Sequence, residues 1–573
     1  MSIRELSSLV PTAKLYHLLY DQIRELSFRA VFWLTAFTLV ASMVLGGGTR
    51  PGFLSDVLLQ LFSIPLLIVS TSQLFDLLST DARQRRQVRW AAIFCYAVVL
   101  LPIVQLVPLP PSLWTLLPNR APIIATFNNL NSALPWLPIS VVPNDTWLTL
   151  PALIPPFAVL FGTVLLNYRE RRMLSIVLIG VGIISAFLGL MQISQGPASM
   201  LRFFTVTNET DAVGFFANRN HFAALLNTVI LFAAAWAIEN VFNSGIWRNL
   251  KTLEARSIVP VTTSVLAVIV LLAAQAMTGS RAGMILMIGS VVGIYALAFS
   301  DRRRSPKTKR SNLWLIALAT AILLVVQFGL YRATQRLSID ALEESRLQYM
   351  RTTLEAALAY MPFGSGLGTF VPVYAMFEKV RDLFAYRYLN HAHNDVAEFI
   401  LEAGIFALAL LGAFITWFIS RAVKMWSRNG IGVRELDRLL TRAATIAIAL
   451  LLTHSFVDYP LRTAAMMAIF VVACGFLIEP LTADERRPDQ LRQVLQHASS
   501  DRVAERPANI AATEPPREAT TEVLARALSA TNKPAARWGE GIDWPEAWCK
   551  PSAAASAPTD NSISADDKEP VTK

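Results

Sequence analysis

The sequence is short of charge. Only 16% of its 573 residues are Asp, Glu, Lys or Arg, while 54% are hydrophobic; a soluble globular chain carries about 25% charged residues. This shortage excludes an ordinary water-soluble enzyme. Apolar runs of about 18 to 20 residues recur instead, each long enough to cross a hydrocarbon core about 30 Å thick. Since these runs lack the apolar–polar alternation of a membrane β-barrel, the sequence predicts an all-α, polytopic membrane protein.

Cysteine is scarce too. The sequence has Cys95, Cys474 and Cys549, with no Cys-x-x-Cys spacing, which excludes a disulfide framework and a zinc site of the common spacing. The net charge of +10 would favour a nucleic-acid partner in a soluble chain. In a membrane protein the positive-inside rule explains the same excess, so we expect no nucleic-acid partner.

About twelve membrane spans fit the apolar runs. Alternate loops are rich in Lys and Arg, as at 83–89, 169–172 and 301–310, whereas the short loops between them are poor in both. Because Lys and Arg accumulate on the cytoplasmic side, an even number of spans puts both termini in the cytoplasm. The predicted spans are 30–48, 53–78, 90–107, 148–167, 173–194, 215–243, 258–278, 282–299, 313–330, 396–420, 441–459 and 461–478.

The chain divides into three predicted regions. Residues 1–29 form an amphipathic segment that we expect to lie on the cytoplasmic membrane surface. Residues 30–478 form the transmembrane domain, which includes a large periplasmic loop at 331–395. Residues 479–573 are rich in Ala, Pro, Ser and Glu. Such a composition cannot bury enough apolar surface to form a core, so a disordered cytoplasmic tail is predicted.

The loop at 331–395 carries a helical signal of its own. Leu342, Leu347 and Met350 recur at roughly helical spacing among charged residues, which predicts a helix with one face against the bilayer or the spans. An ordered loop of this length is usually functional. The glycines within 364–368 would form either a bend, which we favour, or a backbone nest for an anion.

Histidines and arginines collect at the span ends that are predicted to face outward. Polar residues at membrane depth or at span ends are costly and tend to be functional. A random scatter would not put nearly all of them on one side. The residues concerned are His221, His391, His393, His454, Arg202, Arg219, Arg281 and Arg462.

The clearest motif is Asn-His-Ala-His-Asn-Asp at 390–395, directly before the tenth predicted span. Asn394 or Asp395 suits a helix N-cap, which would place His393 beside the positive end of a helix. A histidine in that place can accept a proton from a hydroxyl near neutral pH. Two alternatives stay open: a capping segment with incidental histidines, and a metal site, for which the sequence offers no obvious third ligand.

Two turns carry further candidates. Arg281 lies in Thr-Gly-Ser-Arg-Ala-Gly, between the seventh and eighth predicted spans. Its guanidinium either binds phosphate oxygens in bidentate fashion or snorkels to the membrane surface. Asp458 lies between the last two spans, in His-Ser-Phe-Val-Asp-Tyr-Pro-Leu-Arg, where it would pair with Arg462 or orient a histidine.

In order and spacing these motifs resemble the O-antigen ligase and polymerase family of bacterial envelope membrane proteins, over about residues 210–465. Three more stretches support the resemblance: Asn-Arg-Asn-His-Phe-Ala at 218–223, Pro-Phe-Gly-Ser-Gly-Leu-Gly-Thr-Phe at 362–370 and Glu-Ala-Gly at 402–404. This sequence departs from the family at Arg219, a position that is often proline.

The resemblance implies a GT-C-type fold and an inverting, metal-independent glycosyltransferase of the bacterial inner membrane, with no cofactor. Its donor would be a glycan on undecaprenyl diphosphate at the periplasmic face, and its acceptor lipid A core or a glycan. His393 would take the proton from the acceptor hydroxyl, with His391 as a second catalytic candidate. The diphosphate-binding candidates are Arg281, Arg219 and Arg202, and the orienting candidates are Asn394, Asp458 and His454.

Other interpretations stay open. Within the family, a ligase, an exopolysaccharide repeat-unit polymerase and a protein O-oligosaccharyltransferase share the same donor chemistry, so these motifs do not separate them. Outside the family, a membrane transporter or flippase would carry ionisable residues near the midplane in matching halves. The sequence has no visible matching halves, and its polar residues favour one face, as a surface enzyme would require.

Overall fold

The computed structural model describes residues 30–50, 52–80, 82–205, 207–244, 255–302, 342–379, 389–427 and 434–480. Within these ranges the secondary structure is helical, and pairing between extended segments is limited to one isolated bridge, between Leu109 and Leu137. The all-α prediction is therefore confirmed for the described part of the chain.

The helices carry the labels α1 to α17 in chain order. They are α1 Ala30–Leu45, α2 Leu54–Thr80, α3 Ala82–Leu106, α4 Pro111–Trp114, α5 Ala121–Asn129, α6 Pro143–Ala152, α7 Ile154–Leu165, α8 Tyr168–Gln195, α9 Arg219–Asn243, α10 Ala255–Met277, α11 Arg281–Arg302, α12 Leu342–Ala359, α13 Phe370–Phe377, α14 Asp395–Ala403, α15 Ile405–Trp426, α16 Glu435–His454 and α17 Ala464–Phe476, with a 3-10 turn at Pro460–Arg462.

Eight segments of these helices are long and apolar enough to cross a membrane, and α1 and α17 are shorter apolar helices. The chain is thus a multi-pass helical membrane protein. The total of about twelve spans and the side on which each loop lies stay predictions. The predicted ninth span 313–330, the amphipathic segment 1–29 and the tail from 481 onward lie outside the described residues. The eight segments are Leu54–Asp76, Val88–Leu106, Pro143–Leu165, Tyr168–Gln195, Arg219–Asn243, Ile258–Met277, Arg281–Ser300 and Ile405–Trp426.

Helix α9 lies at the centre of the bundle. It packs against α8, α10, α11 and α16 and is buried along almost its whole length, as expected of a helix that is apolar on every side. Its buried Asn227 donates a hydrogen bond to the Gly283 carbonyl (3.0 Å) and accepts one from Ser290 Oγ (3.1 Å). A Cβ atom at Gly283 would lie 2.4 Å from the Cβ of Ala223. The N-terminal ends of α9 and α11 therefore lie side by side.

The tenth predicted span, 396–420, is wrong in its bounds because Gly404 divides it into α14 and α15. Gly404 has φ +56°, a left-handed conformation that side chains with a Cβ rarely adopt. A Cβ atom there would also lie 2.1 Å from the carbonyl oxygen of Pro362. The membrane-crossing part accordingly begins at Ile405, and α14 is a separate short helix.

The last two predicted spans are also wrong at the turn between them. Helix α16 ends at His454 rather than at 459, and α17 begins at Ala464 rather than at 461. Pro460 starts a 3-10 turn between them, and since proline cannot donate a helical hydrogen bond, the chain leaves the helix before it. The side chains of the turn at 455–463 can therefore contact neighbouring helices.

Replacing Gly404 with alanine should destabilise the protein by more than about 1 kcal/mol, because the substitution combines a positive φ with a backbone clash. Gly412 on α15 provides the matched control, since a Cβ atom there meets nothing within 4 Å. The Gly412→Ala variant should be as stable as the parent, or more stable by about 0.5–1 kcal/mol. Thermal unfolding of the two purified variants in the same detergent measures the difference, and equal midpoints would contradict the prediction.

Candidate active site

The centre of the site is a hydrogen bond between His393 and Asp458. Nδ1 of His393 lies 3.1 Å from Oδ1 of Asp458, whose side chain is fully buried. A carboxylate can only accept, so Nδ1 carries the hydrogen. Nε2 makes no hydrogen bond within the described part of the chain. In the neutral ring Nε2 therefore carries the lone pair, on a side chain that is 20% exposed.

Asp458 is held as a carboxylate by several donors. Nδ2 of Asn220 donates to its Oδ2, and the backbone N–H of Tyr459 donates to its Oδ1 (3.0 Å). Burial alone would raise the pKa of Asp458, but the hydrogen bond from His393 and the charge of Arg346 hold the pKa well below its usual value. The carboxylate is ionised and fixes the tautomer of His393.

The backbone around His393 has an unusual shape that helix α14 supports. His393 has φ +51°, which a non-glycine residue adopts only at a cost. Asn394 follows as the N-cap of α14, its Oδ1 accepting from the N–H of Ala397 (2.9 Å), so the predicted cap is confirmed. The N–H of Asp395 donates to the carbonyl of Ser455 (2.9 Å). These bonds join the start of α14 to the turn that carries Asp458.

His391 is oriented differently, with an acceptor opposite each ring nitrogen. Nδ1 lies 2.8 Å from Oε1 of Glu398, and Nε2 lies 3.1 Å from the carbonyl oxygen of Thr49. Burial alone would raise the pKa of Glu398, but the charges of Arg462 and His391 lower it to about 2. Both ring nitrogens of His391 thus already have a partner within the protein. His393 is the histidine of the motif that leaves a ring nitrogen available to a substrate hydroxyl, as far as the described residues go.

Three acidic side chains of α14 surround Arg462; they form the carboxylate cluster, Asp395, Glu398 and Glu402. Nη1 of Arg462 lies 2.9 Å from Oε2 of Glu402 and 3.5 Å from Oε1 of Glu398, and its Nε lies 3.8 Å from Oδ1 of Asp395. Of the two partners expected for Asp458, the histidine is therefore the one found, while Arg462 pairs with the carboxylate cluster.

The carboxylate cluster places three acidic side chains around one arginine, so their charges outnumber that of Arg462. Burial raises the pKa of Asp395 to about 7, against the opposing charge of Arg462, and burial also raises the pKa of Glu402. Asp395 accepts from Ser455 Oγ at 2.7 Å, which ties α14 again to the turn at 455–463. The cluster and Arg462 thus fasten the segment that carries both histidines to the segment that carries Asp458.

The ring of Tyr459 contacts the rings of three histidines in the site. Its ring centroid lies 4.5 Å from that of His391, 4.8 Å from His221 and 4.9 Å from His393. The sequence contains no periodic or charge signal that singles out this tyrosine. Its place in the turn beside Asp458 is the one hint, and only the folded geometry makes it informative.

The glycine-rich segment confirms the predicted bend. Gly364, Gly366 and Gly368 all have positive φ, and the segment wraps around the C-terminal end of α14. The N–H of Gly366 donates to the carbonyl of Glu402 (3.0 Å), and the N–H of Gly368 donates to its Oε1 (2.9 Å). The segment therefore positions Glu402 within the carboxylate cluster.

The side chains of three other predicted residues make no hydrogen bond or ion pair with His393 or Asp458 within the described part of the chain. His454 is buried, and within the described residues neither of its ring nitrogens has a hydrogen-bond partner. Nη1 of Arg219 pairs with Oδ2 of Asp211 (2.6 Å), and Nη1 of Arg202 donates to the carbonyls of Asn208 and Asp211 (2.8 and 3.0 Å). Both arginines thus brace the segment that precedes α9, and their predicted role toward a diphosphate stays a prediction.

Residues 266–412 match the family described as O-antigen ligase. The chain carries an O-antigen ligase domain. The resemblance expected from the motifs is confirmed over this segment, which contains Arg281, His391 and His393. A comparison with curated proteins finds no match for the chain.

The site is shared between the O-antigen ligase domain and the segments that flank it. The domain supplies α11, α12, α14 and both histidines of the motif, whereas Asn220, Asp458 and Arg462 lie outside it. Arg281 begins α11, whose first turn packs on the first turns of α9. The N-terminal ends of α9, α11 and α14 therefore collect at one end of the bundle, and N-terminal ends carry the positive ends of helix dipoles.

Proposed function

We propose that this protein is an inverting membrane glycosyltransferase that moves a glycan from undecaprenyl diphosphate to an acceptor hydroxyl at the periplasmic face of the bacterial inner membrane. The proposal rests on one observation above all. An O-antigen ligase domain contributes a histidine whose Nδ1 is bonded to a buried carboxylate (3.1 Å) and whose Nε2 has no hydrogen-bond partner within the described part of the chain. That arrangement suits the removal of a hydroxyl proton.

The proposed reaction is a single displacement at the anomeric carbon. The acceptor oxygen attacks the anomeric carbon while its proton moves to Nε2 of His393. The bond from that carbon to the diphosphate oxygen breaks, and its electron pair stays on the diphosphate. Attack opposite the leaving group inverts the anomeric centre. Positive groups stabilise the charge that develops on the leaving oxygen, and in this proposal Arg281 and the three helix N-terminal ends supply them.

Deletion of the protein, followed by analysis of envelope glycans, tests the function. Lipid A core without long chains would indicate a ligase, single repeats on the core a polymerase, and proteins that lose their glycan a protein glycosyltransferase. A plasmid copy of the parent should restore the glycans and a His393→Ala copy should not. Unchanged glycans with altered solute uptake would point to a transporter and refute the proposal.

Arg281→Lys should reduce transfer by about tenfold or more, because an ammonium keeps the charge but lacks the planar fork that binds two oxygens. The rate is measured with purified protein and a lipid-linked donor. Arg302, at the other end of α11, gives a control substitution of the same kind. Normal activity of the Arg281→Lys variant would favour a snorkelling arginine.

A further inference from the structure

Helix α12 presents one face to the candidate site. Arg346, Tyr349 and Met350 are spaced so that they share a side of a helix. The ring of Tyr349 stacks on that of His393, with centroids 6.2 Å apart and planes at 28°. Sδ of Met350 accepts from Nδ2 of Asn394 at 3.8 Å. Arg346 is therefore held next to the proposed base by two neighbours on its own helix.

The guanidinium of Arg346 is only loosely bound by the protein. Its Nη2 lies 3.9 Å from Oδ2 of Asp458, and its Nη1 lies 3.4 Å from the carbonyl of Val457, both longer than a normal hydrogen bond of about 2.7–3.2 Å. Its Nε has no partner within the described part of the chain, and the side chain is 33% exposed. Arg346 thus has N–H groups to offer to a ligand.

Three other arginines from the predicted outer span ends are bound more closely by the protein than Arg346. Arg219 and Arg462 each make a contact of 2.9 Å or less with a carboxylate, and Arg202 donates at 2.8 Å to a carbonyl. The hydrogen bonding of Asp458 is also satisfied without Arg346, since its carboxylate accepts from His393, Asn220 and the N–H of Tyr459. The positive charge of Arg346 is therefore not needed to satisfy the protein's own acceptors.

We propose that Arg346 binds non-bridging diphosphate oxygens of the lipid-linked donor. This inference rests on the proposed function and adds a residue to its donor site. In a displacement, the attacking and leaving oxygens lie on opposite sides of one carbon, so the diphosphate is bound within about 10 Å of the base. Arg346 meets that requirement, because a single carboxylate separates it from His393. Its planar fork matches a pair of phosphate oxygens.

Binding of undecaprenyl diphosphate to the full-length protein in detergent tests the proposal without requiring turnover. Arg346→Gln should weaken this binding by about 10- to 100-fold, and Arg346→Lys by less. Arg351→Gln is the matched control, because Arg351 is exposed on the same helix and its loss removes the same charge. It should bind like the parent, as should His393→Ala. Size-exclusion profiles verify that each variant is folded.

Phosphatidylglycerol is the second probe, since a lipid headgroup also carries a phosphate. The proposal expects the Arg346→Gln variant to lose affinity for undecaprenyl diphosphate and not for phosphatidylglycerol. Equal losses for both lipids would assign Arg346 to bilayer headgroups and overturn the proposal. Parent-like binding of undecaprenyl diphosphate, with a lower kcat at an unchanged donor KM, would also overturn it, because Arg346 would then act only through Asp458.

The same measurements separate this proposal from the proposed function. If the parent transfers no glycan but Arg346→Gln still loses selective affinity for undecaprenyl diphosphate, the binding site stands and the transferase function fails. If the parent transfers glycan and the variant binds the lipid diphosphate normally, the function stands and the role of Arg346 fails.

Discussion

Replacing His393 with alanine is expected to lower the rate of glycan transfer by about 10²- to 10⁴-fold, the range that a positioned general base contributes. The substitution removes Nε2, the lone pair that the bond to Asp458 leaves available. The side chain is 20% exposed and makes that one hydrogen bond among the described residues, so the variant should still insert and fold. Donor binding should also stay near the parent's value, because the proposed ligands of the diphosphate are arginines and helix N-terminal ends.

A double-variant comparison makes the test sharper. Asp458→Asn should slow transfer too, because an amide no longer enforces the tautomer in which Nε2 is the acceptor. If the two residues act as one unit, the double variant of His393 and Asp458 will be about as slow as His393→Ala alone. Multiplied effects would show that Asp458 acts independently of the histidine. Unchanged transfer by His393→Ala would remove it as the base.

The two histidines of the motif differ in their contacts, and the motif alone does not reveal this difference. In the sequence the two histidines are equivalent neighbours of a helix start, and both are catalytic candidates. The structure separates them through their partners: His393 faces one acceptor, and His391 lies between Glu398 and the carbonyl of Thr49. Thr49 is more than three hundred residues away in the chain, so no local pattern could have predicted the different partners of the two histidines.

Helix content and most apolar runs were predictable because they follow from composition and length. The break at Gly404 was less so, since a glycine inside an apolar run has several possible roles and the close approach of the Pro362 carbonyl is a tertiary contact. The helix at 342–359 was predicted from its leucines. Its functional face, however, carries Arg346 and Tyr349, while Leu347 stays 48% exposed.

The pairing of charges was the least predictable part. Arg462 and Asp458 lie four positions apart, and that proximity suggested a pair. Arg462 instead reaches the carboxylate cluster of α14, about sixty residues away in sequence. Asp395, Glu398 and Glu402 are spaced three and four positions apart, which puts them on one helical face. Buried carboxylates on one helical face need a cation that compensates their charge. Only the fold identifies that cation as Arg462.

Arg462→Met is expected to destabilise the protein by about 3 kcal/mol, at the lower end of the range for breaking a buried ion pair because Arg462 keeps 22% exposure. The side chains of Glu398 and Glu402 are 1% and 0% exposed, so the variant would leave their charges uncompensated. Thermal unfolding in detergent, monitored by the loss of the monodisperse size-exclusion peak, measures the change in stability.

A second substitution and a pH series make this prediction specific to charge. Adding Glu402→Gln to Arg462→Met should restore part of the lost stability, because it removes one of the unpaired carboxylates. Without the guanidinium, the folded-state pKa values of Asp395 and Glu402 rise further above those of the unfolded chain, and the pKa of Glu398 rises from its lowered value. Stability then falls as pH rises through the raised values, so the deficit of Arg462→Met should be larger at pH 8 than at pH 6, around the value of about 7 to which burial raises the pKa of Asp395. A deficit that is equal at both pH values and unaffected by Glu402→Gln would mean that Arg462 contributes by packing alone.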